Sequence, residues 1–311
     1  MTRTISCDTT EEISIEECFA GAIDSIDPRC IDSIVEFAPQ IKKLSNNRTA
    51  ISHALCGYLK DYASVEYGGL NYSPNSFILS PAHPNFVIRA NIWLPLCADA
   101  ERRVFEANLF AYHRAHNHNF HFLTVGHYGP GYFTDIYAYE RDKIAGYLNE
   151  QVEMPHVERT SLTPGKVMFY QADKDIHNQY PPISASVSLN LVVISEEERL
   201  HDQYFFDTKN SAISGYSDTL ASKRVSLLKF AACVADDNTI DVLSSIASTH
   251  PCHRTRLQAF ISLAIARPDE LAYWRCLASN DINVAVRSFA TNELSVSNEQ
   301  MAFDPAFMQL V

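Results

Sequence analysis

Apolar residues in the first part of the chain recur every three or four positions, the spacing of amphipathic helices. The spacing predicts helices around Ile15–Ile26, Ile31–Ile41 and Ile51–Tyr62. Pro28 stands just before the second of these, where a proline is tolerated at a helix start. We therefore expect residues 1–65 to form a helical segment that packs on the domain that follows.

From Tyr67 the period of the apolar positions changes to two, and glycines and prolines punctuate short segments rich in aromatic and β-branched residues. Short strands at such spacing, with no helical pattern between them, indicate a double-sheet jelly roll or barrel, which we place at residues 66–210. The predicted strands are Ser76–Leu79, Phe86–Leu94, Phe105–Tyr112, His116–Val125, Gly131–Tyr139, Val157–Leu162, Gly165–Tyr170, Ser184–Val193 and Gln203–Phe206.

Helical periodicity returns from about Leu220 to Glu293, and there the sequence repeats at an offset of about 31 residues. Units of this kind bury their apolar faces by stacking on one another. The pattern resembles HEAT-like repeats and predicts a helical repeat domain at residues 218–311, with an ordinary helical bundle as the alternative. The matched pairs are Ile240 with Leu271, Leu243 with Trp274, Ile246 with Leu277, Ala247 with Ala278, Arg256 with Arg287 and Ala259 with Ala290.

Composition and charge narrow the classes of partner. At 311 residues and 46% hydrophobic, the chain can bury two sizeable cores. A formal net charge of −12 argues against nucleic acid or an anionic membrane as the main partner. Without a signal-peptide pattern or an apolar run long enough to span a bilayer, we expect a cytoplasmic protein. The eight cysteines form no CxxC pair, so we expect most of them to be reduced and buried.

The densest group of imidazoles lies on the predicted strand His116–Val125. Because side chains alternate between the faces of a strand, His116 and His118 share one face and His121 points the other way. Two imidazoles two residues apart on a strand can chelate one ion. The spacing by itself leaves open a hydrogen-bonded surface strand.

A second segment, Thr163–His177, runs through a Pro-Gly turn, a strand and an acidic loop to a single histidine. With the His116-x-His118 pair and the following Ser186–Val193 strand, it resembles the two sequence motifs of the cupin superfamily. The resemblance covers roughly residues 105–193. It implies a metal-binding barrel within an α+β multidomain chain, with His116, His118 and His177 as the ligands.

One departure from the cupin pattern concerns the fourth ligand. The first motif usually has a glutamate four or five residues after its second histidine, where this chain has Phe122 and Leu123. His121 and Glu140 are the candidates for an additional ligand. Glu140 would need the barrel to curl the following strand back to the metal.

The resemblance also implies a chemistry. Cupins with a three-histidine centre include thiol dioxygenases and related enzymes that use Fe(II). Three neutral imidazoles leave the charge of a divalent ion uncompensated, which favours an anionic chelating ligand. We therefore expect an Fe(II)-dependent oxygenase that acts with O₂ on a small chelating, amino-acid-like metabolite. Another divalent transition metal would also accept imidazole.

Three alternatives to the oxygenase remain open. A 2-oxoglutarate-dependent hydroxylase shares the architecture but usually has His-x-Asp or His-x-Glu in place of His116-Asn117-His118. A metal-dependent lyase, isomerase or hydrolase would use the same barrel without oxygen. A non-catalytic metal or ligand sensor would bind in the barrel and contact a protein partner through the helical repeats.

Five residues are candidates to contact the substrate. Ser188 and Asn190 share the polar face of the Ser186–Val193 strand, which faces either solvent or a ligand cavity. Tyr132, Tyr137 and Tyr170 carry hydroxyl groups that donate hydrogen bonds, although packed tyrosines are common in barrels.

Overall fold

The computed structural model describes residues 2–60, 71–73, 75–217 and 220–287. The chain divides into two compact units. The sheet unit comprises Met1–Tyr139 and Met154–Glu198, and the helical unit comprises Glu140–Glu153 and Arg199–Val311. The short Glu140–Glu153 segment thus groups with the second unit, although it lies between strands of the first.

The sheet unit is built on antiparallel strands in two sheets. One sheet has the order β1-β9-β6-β11-β4-β3-β2, and the other contains the run β5-β10-β7-β8. The strands are β1 (Arg3–Ile5), β2 (Asn71–Ser73), β3 (Ser76–Ile78), β4 (Phe86–Trp93), β5 (Ala115–Asn117), β6 (His121–Tyr128), β7 (Phe133–Ala138), β8 (His156–Ser161), β9 (Val167–Tyr170), β10 (Asp175–Gln179) and β11 (Ser186–Val193). A mixed α+β fold with two antiparallel sheets is therefore confirmed, whereas the jelly-roll connectivity stays a prediction.

Helices cover one face of the seven-stranded sheet. They are α1 (Ile15–Ser25), α2 (Ile31–Glu36), α3 (Ala38–Asn46) and α4 (Ala50–Lys60). Ile41 and Leu44 of α3 are fully buried in one core with Leu123 of β6 and Leu189 of β11. The predicted helix Ile31–Ile41 is divided at Phe37. Pro39 has no backbone N–H with which to continue the first helix, whereas a proline is tolerated in the first turn of a new one.

A second, aromatic core lies between the two sheets. Trp93, Phe122 and Met168 come from the seven-stranded sheet, and Ile136 comes from β7 of the other. All four side chains are at most 5% exposed. Each central strand of the seven-stranded sheet therefore has one face toward the helices and one toward this interior.

The predicted strand Phe105–Tyr112 is wrong, because α5 (Ala100–Leu109) occupies most of it. Asp99 caps the helix by accepting a hydrogen bond from the Arg102 backbone N–H at 2.9 Å. Arg102 and Glu106 then form an i,i+4 pair on its surface. Val104 and Phe105 stay more than 60% exposed, so their β-forming tendency gains nothing from burial.

Two other strand predictions need correction. The predicted strand His116–Val125 is two strands, β5 and β6, which lie in different sheets. The segment before His177, taken for an acidic loop, leads into strand β10, which was not predicted from the sequence. Apolar alternation is weak in β10 because its inward side chains are polar.

The helical unit contains a hairpin and four described helices. These are β12 (Tyr204–Asp207), β13 (Ala212–Tyr216), α6 (Leu220–Cys233), α7 (Asp237–Thr249), α8 (His253–Ala266) and α9 (Leu271–Ser279). Leu243 and Trp274, a pair matched by the sequence repeat, are both at most 3% exposed in its core. A HEAT-like identity and the boundaries 1–65, 66–210 and 218–311 stay predictions, and Ala290 lies outside the described residues.

The sequence repeat also relates two arginine contacts. Arg256 donates from Nη1 to the carbonyl oxygens of His250 and Pro251, at 2.7 and 3.1 Å. Arg287 donates from Nη1 to the carbonyl oxygens of Asp281 and Ile282, both at 2.7 Å. Equivalent arginines therefore fasten equivalent turns between helices.

The structure shows the state and the burial of the eight cysteines. All eight cysteines are free, but only Cys18 and Cys252 are buried, so the expected burial of most cysteines is wrong. Four of the others are exposed, because they lie on helix surfaces and turns.

In the part of the chain that the structure describes, no helix combines the length and apolarity that crossing a bilayer requires.

We expect acid to destabilise the helical unit through His253. Its ring packs against Gly146, whose φ of +85° and missing Cβ allow the approach, since a Cβ would lie 2.6 Å from the ring. Burial, with the charges of Arg141 and Arg256, lowers the pKa of His253 to about 3. The unfolded chain, with a pKa near ~6.5, binds the proton more readily, so stability falls as the pH falls below that value.

Lowering the pH from 7 to 5 should cost about 2 kcal/mol of unfolding free energy through this residue. Denaturant unfolding of a Trp93→Phe protein, in which Trp274 fluorescence reports on the helical unit, measures the loss. Adding His253→Gln should remove that part of the pH dependence. An unchanged pH dependence in the double variant would show that His253 is not its source.

Candidate metal centre

Strand pairing brings together the three histidines that the sequence motifs predicted as ligands. His116 of β5 lies directly opposite His177 of β10 in an antiparallel register, and His118 follows one residue after β5 ends. Nε2 of His177 lies 3.0 Å from Nε2 of His116 and 3.0 Å from Nε2 of His118. The three imidazoles therefore present one nitrogen each to a common point, as a metal site requires.

The acidic loop before β10 holds His118 in this arrangement. The backbone N–H of Asp173 donates to the carbonyl oxygen of His118 at 2.9 Å. Asp173 itself has a φ of +54°, a left-handed conformation that Asp and Asn tolerate better than most residues. The turn that begins β10 is thus tied to the end of β5.

Burial keeps two of the imidazoles neutral. Desolvation, with smaller effects of the Arg114 and Arg89 charges, lowers the pKa of His116 to about 4. Desolvation, followed by His116 and Arg89, places the pKa of His177 well below its ordinary value. Because metal ligation needs an unprotonated nitrogen, both side chains are in the ligating charge state at neutral pH.

The donor set fits a divalent transition metal. Nδ1 of His116 lies 2.8 Å from the carbonyl oxygen of Arg114, which can only accept, so the proton is on Nδ1 and the Nε2 lone pair is free to ligate. Three imidazole nitrogens gathered within 4.8 Å of one another form a donor set that divalent first-row transition metals accept.

Aromatic side chains form the wall around the cluster. The rings of His118 and Phe120 stack at 4.5 Å, and Phe122 stacks on Tyr170 at 4.6 Å. The Tyr170 ring in turn lies 5.0 Å from that of His177. An apolar wall of this kind strengthens electrostatic interactions at the site and limits access of water.

Two of the candidate tyrosines face the same interior. Tyr132 packs on Trp93 at 4.4 Å between ring centroids and is 6% exposed. Tyr170 is 3% exposed. Burial raises the pKa of both phenols, so both stay protonated at neutral pH.

Ser188 and Asn190 also lie on the inner face of β11. They are 1% and 3% exposed, so the alternative of a solvent-facing polar side is wrong. Ser188 accepts a hydrogen bond from the Trp93 indole at 3.0 Å, while Leu189 and Leu191 pack in the core on the helix side. Contact of these two polar residues with a substrate stays a prediction.

Three other candidates have different neighbours. His121 lies on the helix side of β6, where Nε2 is 2.8 Å from Glu198 and Nδ1 accepts from the Ala172 N–H at 2.9 Å. Tyr137 lies on the outer face of β7, against His156. Glu140 belongs to the helical unit and pairs with Lys143 at 3.0 Å. Among the described residues, no fourth His, Cys or carboxylate joins the cluster.

Two residues near the cluster were missed from the sequence. Arg89 of β4 is only 6% exposed, and its charge contributes to the lowered pKa of His116 and His177. The signal in the sequence that could have identified Arg89 was a charged residue inside the mainly apolar segment Phe86–Trp93. Gln179 lies 3.3 Å from Nδ1 of His177, and it escaped notice because β10 was not recognised as a strand.

Comparisons with known proteins give only distant structural similarity. No family model and no curated protein matches the chain. Among solved structures, a DMSP lyase is 14% identical, with 38% of this chain and 46% of that one covered and a TM-score of 0.23. Hydroquinone 1,2-dioxygenase from Sphingomonas sp. TTNP3 is 9% identical, with 39% and 66% covered and a TM-score of 0.24.

A DMSP lyase from Ruegeria pomeroyi DSS-3 is also 9% identical, with 63% of this chain and 79% of that one covered and a TM-score of 0.23. This chain thus spans less than two thirds of the length of the first two structures. All three are enzymes by name. TM-scores this low carry no argument about activity, so the proposed function rests on the geometry of the three histidines.

Removing a histidine of the cluster should abolish metal binding. We expect about one equivalent of metal in the protein purified anaerobically with Fe(II), and a loss well beyond ~10-fold in affinity for His116→Ala and His177→Ala. Elemental analysis measures the metal, and far-UV circular dichroism checks the fold. His156→Ala, on the outer sheet face, is the matched control. Equal metal in all four proteins would contradict the site.

Proposed function

We propose that this chain is a non-haem, cupin-type oxygenase that uses Fe(II) and O₂ on a small chelating metabolite. The observation that carries the proposal is the set of three Nε2 atoms held by β5, the turn after it and β10. His116, His118 and His177 would hold the ion, and Fe(II) would supply the redox chemistry with O₂. Because only three His, Cys or carboxylate ligands meet there among the described residues, further coordination positions would be available to substrate and O₂.

The charge of the site favours an anionic substrate. Three neutral imidazoles leave the charge of a divalent ion uncompensated, and the buried Arg89 adds positive charge nearby. A carboxylate with a neighbouring amine, thiol or hydroxyl would neutralise and chelate such an ion. An amino-acid-like metabolite has this chemistry.

The chain's own residues would orient the substrate and hold a proton beside it. Ser188 and Asn190 offer polar atoms on the inner face of β11. Tyr170 keeps its phenolic proton because burial raises its pKa, and it lies next to His177. The aromatic wall excludes water from the reacting groups.

A metal-dependent lyase or isomerase is the second candidate, because buried phenols beside the cluster suit proton transfer without oxygen. A 2-oxoglutarate-dependent hydroxylase is less well supported, since no carboxylate joins the histidines among the described residues. A non-catalytic sensor would need a partner, and HEAT-like stacking of the helical unit, supported by the repeated Arg256 and Arg287 contacts, would provide a binding surface.

Oxygen dependence separates these candidates. The Fe(II)-loaded protein is supplied with amino, hydroxy and thiol acids, and O₂ uptake and substrate loss are followed together. We expect uptake matched to substrate loss, absent in His177→Ala. Equal turnover without O₂ would favour the lyase or isomerase. No turnover with any acid would overturn the enzyme proposals and favour the sensor.

Tyr170→Phe should lower turnover while leaving metal binding intact. The change removes the phenolic proton but keeps the ring that stacks on Phe122. We expect kcat to fall by roughly 100-fold, within the range of general acid–base contributions, with the metal content unchanged. Tyr137→Phe, on the outer face of β7, is the control. Equal kcat in both variants would exclude Tyr170 from proton transfer.

A further inference from the structure

Gln179 touches the one ring nitrogen of His177 that faces away from the cluster. It follows His177 by two residues on β10, so both side chains point inward, and it is 5% exposed. Its amide nitrogen lies 3.3 Å from His177 Nδ1, and its side chain is close enough to Tyr132 to influence the pKa of that phenol. Its amide oxygen is buried without a hydrogen-bond partner.

The hydrogen bonds of His116 and His177 indicate which ring nitrogen carries the proton while their two Nε2 atoms share a hydrogen bond. His116 donates from Nδ1 to the Arg114 carbonyl, so its Nε2 can only accept. His177 Nε2, 3.0 Å away, must therefore carry the proton and donate. Nδ1 of His177 then accepts from the amide N–H of Gln179.

Of the His116–His177 pair, only His177 requires a different arrangement before it can ligate an ion. His116 already has its proton on Nδ1 and its lone pair on Nε2, so it needs no change. His177 must move its proton from Nε2 to Nδ1 before Nε2 can ligate. An Nδ1–H needs an acceptor, and the amide nitrogen of Gln179 cannot serve as one.

We propose that Gln179 is the positioning residue that sets the ligating tautomer of His177. Its side-chain amide rotates so that the amide oxygen accepts a hydrogen bond from the Nδ1–H of His177. This turn gives the buried amide oxygen the partner that it lacks. The inference rests on the metal centre of the proposed function, but not on the reaction catalysed there.

The rotation of the Gln179 amide also determines which of the two phenols, Tyr132 or Tyr170, can donate a hydrogen bond to a bound ligand. With its amide oxygen toward His177 and Tyr132, Gln179 can accept a hydrogen bond from the Tyr132 hydroxyl. Tyr132 can then only accept a hydrogen bond from a bound ligand. Tyr170, whose ring lies 5.0 Å from that of His177, remains the phenol that can donate.

The full-length protein loaded with Zn(II), a diamagnetic probe, tests the tautomer directly. In ¹⁵N-histidine spectra we expect the His177 resonances, assigned by their loss in His177→Ala, to show Nε2 ligated and Nδ1 protonated. Affinity for Zn(II) is measured by competition with a chromophoric chelator. Gln179→Leu should weaken it by about 10- to 100-fold, the usual effect of losing an outer partner of a ligand.

Two further variants separate positioning from packing. Gln179→Glu provides a side chain that only accepts at Nδ1–H, so its Zn(II) affinity should equal or exceed that of the wild type. Asn178→Leu changes the neighbouring residue, whose amide bonds to Tyr180, and should leave affinity within about twofold.

The outcomes distinguish the inference from the function that it rests on. If the folded wild type binds no Zn(II) or Fe(II), the metal centre of the proposed function fails. If the wild type binds Zn(II) but Gln179→Leu matches Asn178→Leu, or His177 ligates through Nδ1, the role of Gln179 is overturned. Should Gln179→Leu not fold, the wild-type spectrum and Gln179→Glu still decide.

Discussion

The candidate centre depends on the antiparallel pairing of β5 with β10. Cross-strand partners lie about 5 Å apart, so the register that places His116 opposite His177 brings their imidazoles into contact. A shift by one residue would send His177 to the other face of the sheet and Ile176 inward. The arrangement therefore follows from backbone hydrogen bonds before any ion contributes.

Packing against the seven-stranded sheet supports that register from the inner face. In the seven-stranded sheet, α1 packs on β4 and α3 packs on β6 and β11, and the aromatic core fills the space between the sheets. The backbone groups of these central strands are already hydrogen-bonded. A slide of either sheet would break these hydrogen bonds and expose apolar side chains. The histidines consequently lie on rigid elements, which is what a metal site of defined geometry needs.

Burial also sets the chemistry of the cluster. Removing imidazoles from water favours their neutral form, and the nearby arginine charges act in the same direction. The outer hydrogen bonds then decide which nitrogen is available, through a backbone carbonyl at His116 and a side-chain amide at His177. A rigid acceptor and an adaptable one thus support two ligands of the same site.

The sequence by itself determined the parts that depend on local spacing. His116 and His118 lie two residues apart on an extended chain, Ser188 and Asn190 alternate so that they share one face of a strand, and the internal repeat predicted matching positions in the helical unit. These patterns survive because side-chain direction follows backbone period. They required no knowledge of which strands pair.

Only the tertiary structure decided which side chains meet. It placed Tyr132 inside and Tyr137 outside, gave His121 a carboxylate partner on the helix side, and turned Phe105 onto an exposed helix. It also brought Gln179 to His177, since a polar strand carries no apolar alternation by which to recognise it. Such contacts join residues distant in the chain, and they depend on register and sheet order, which local spacing does not encode.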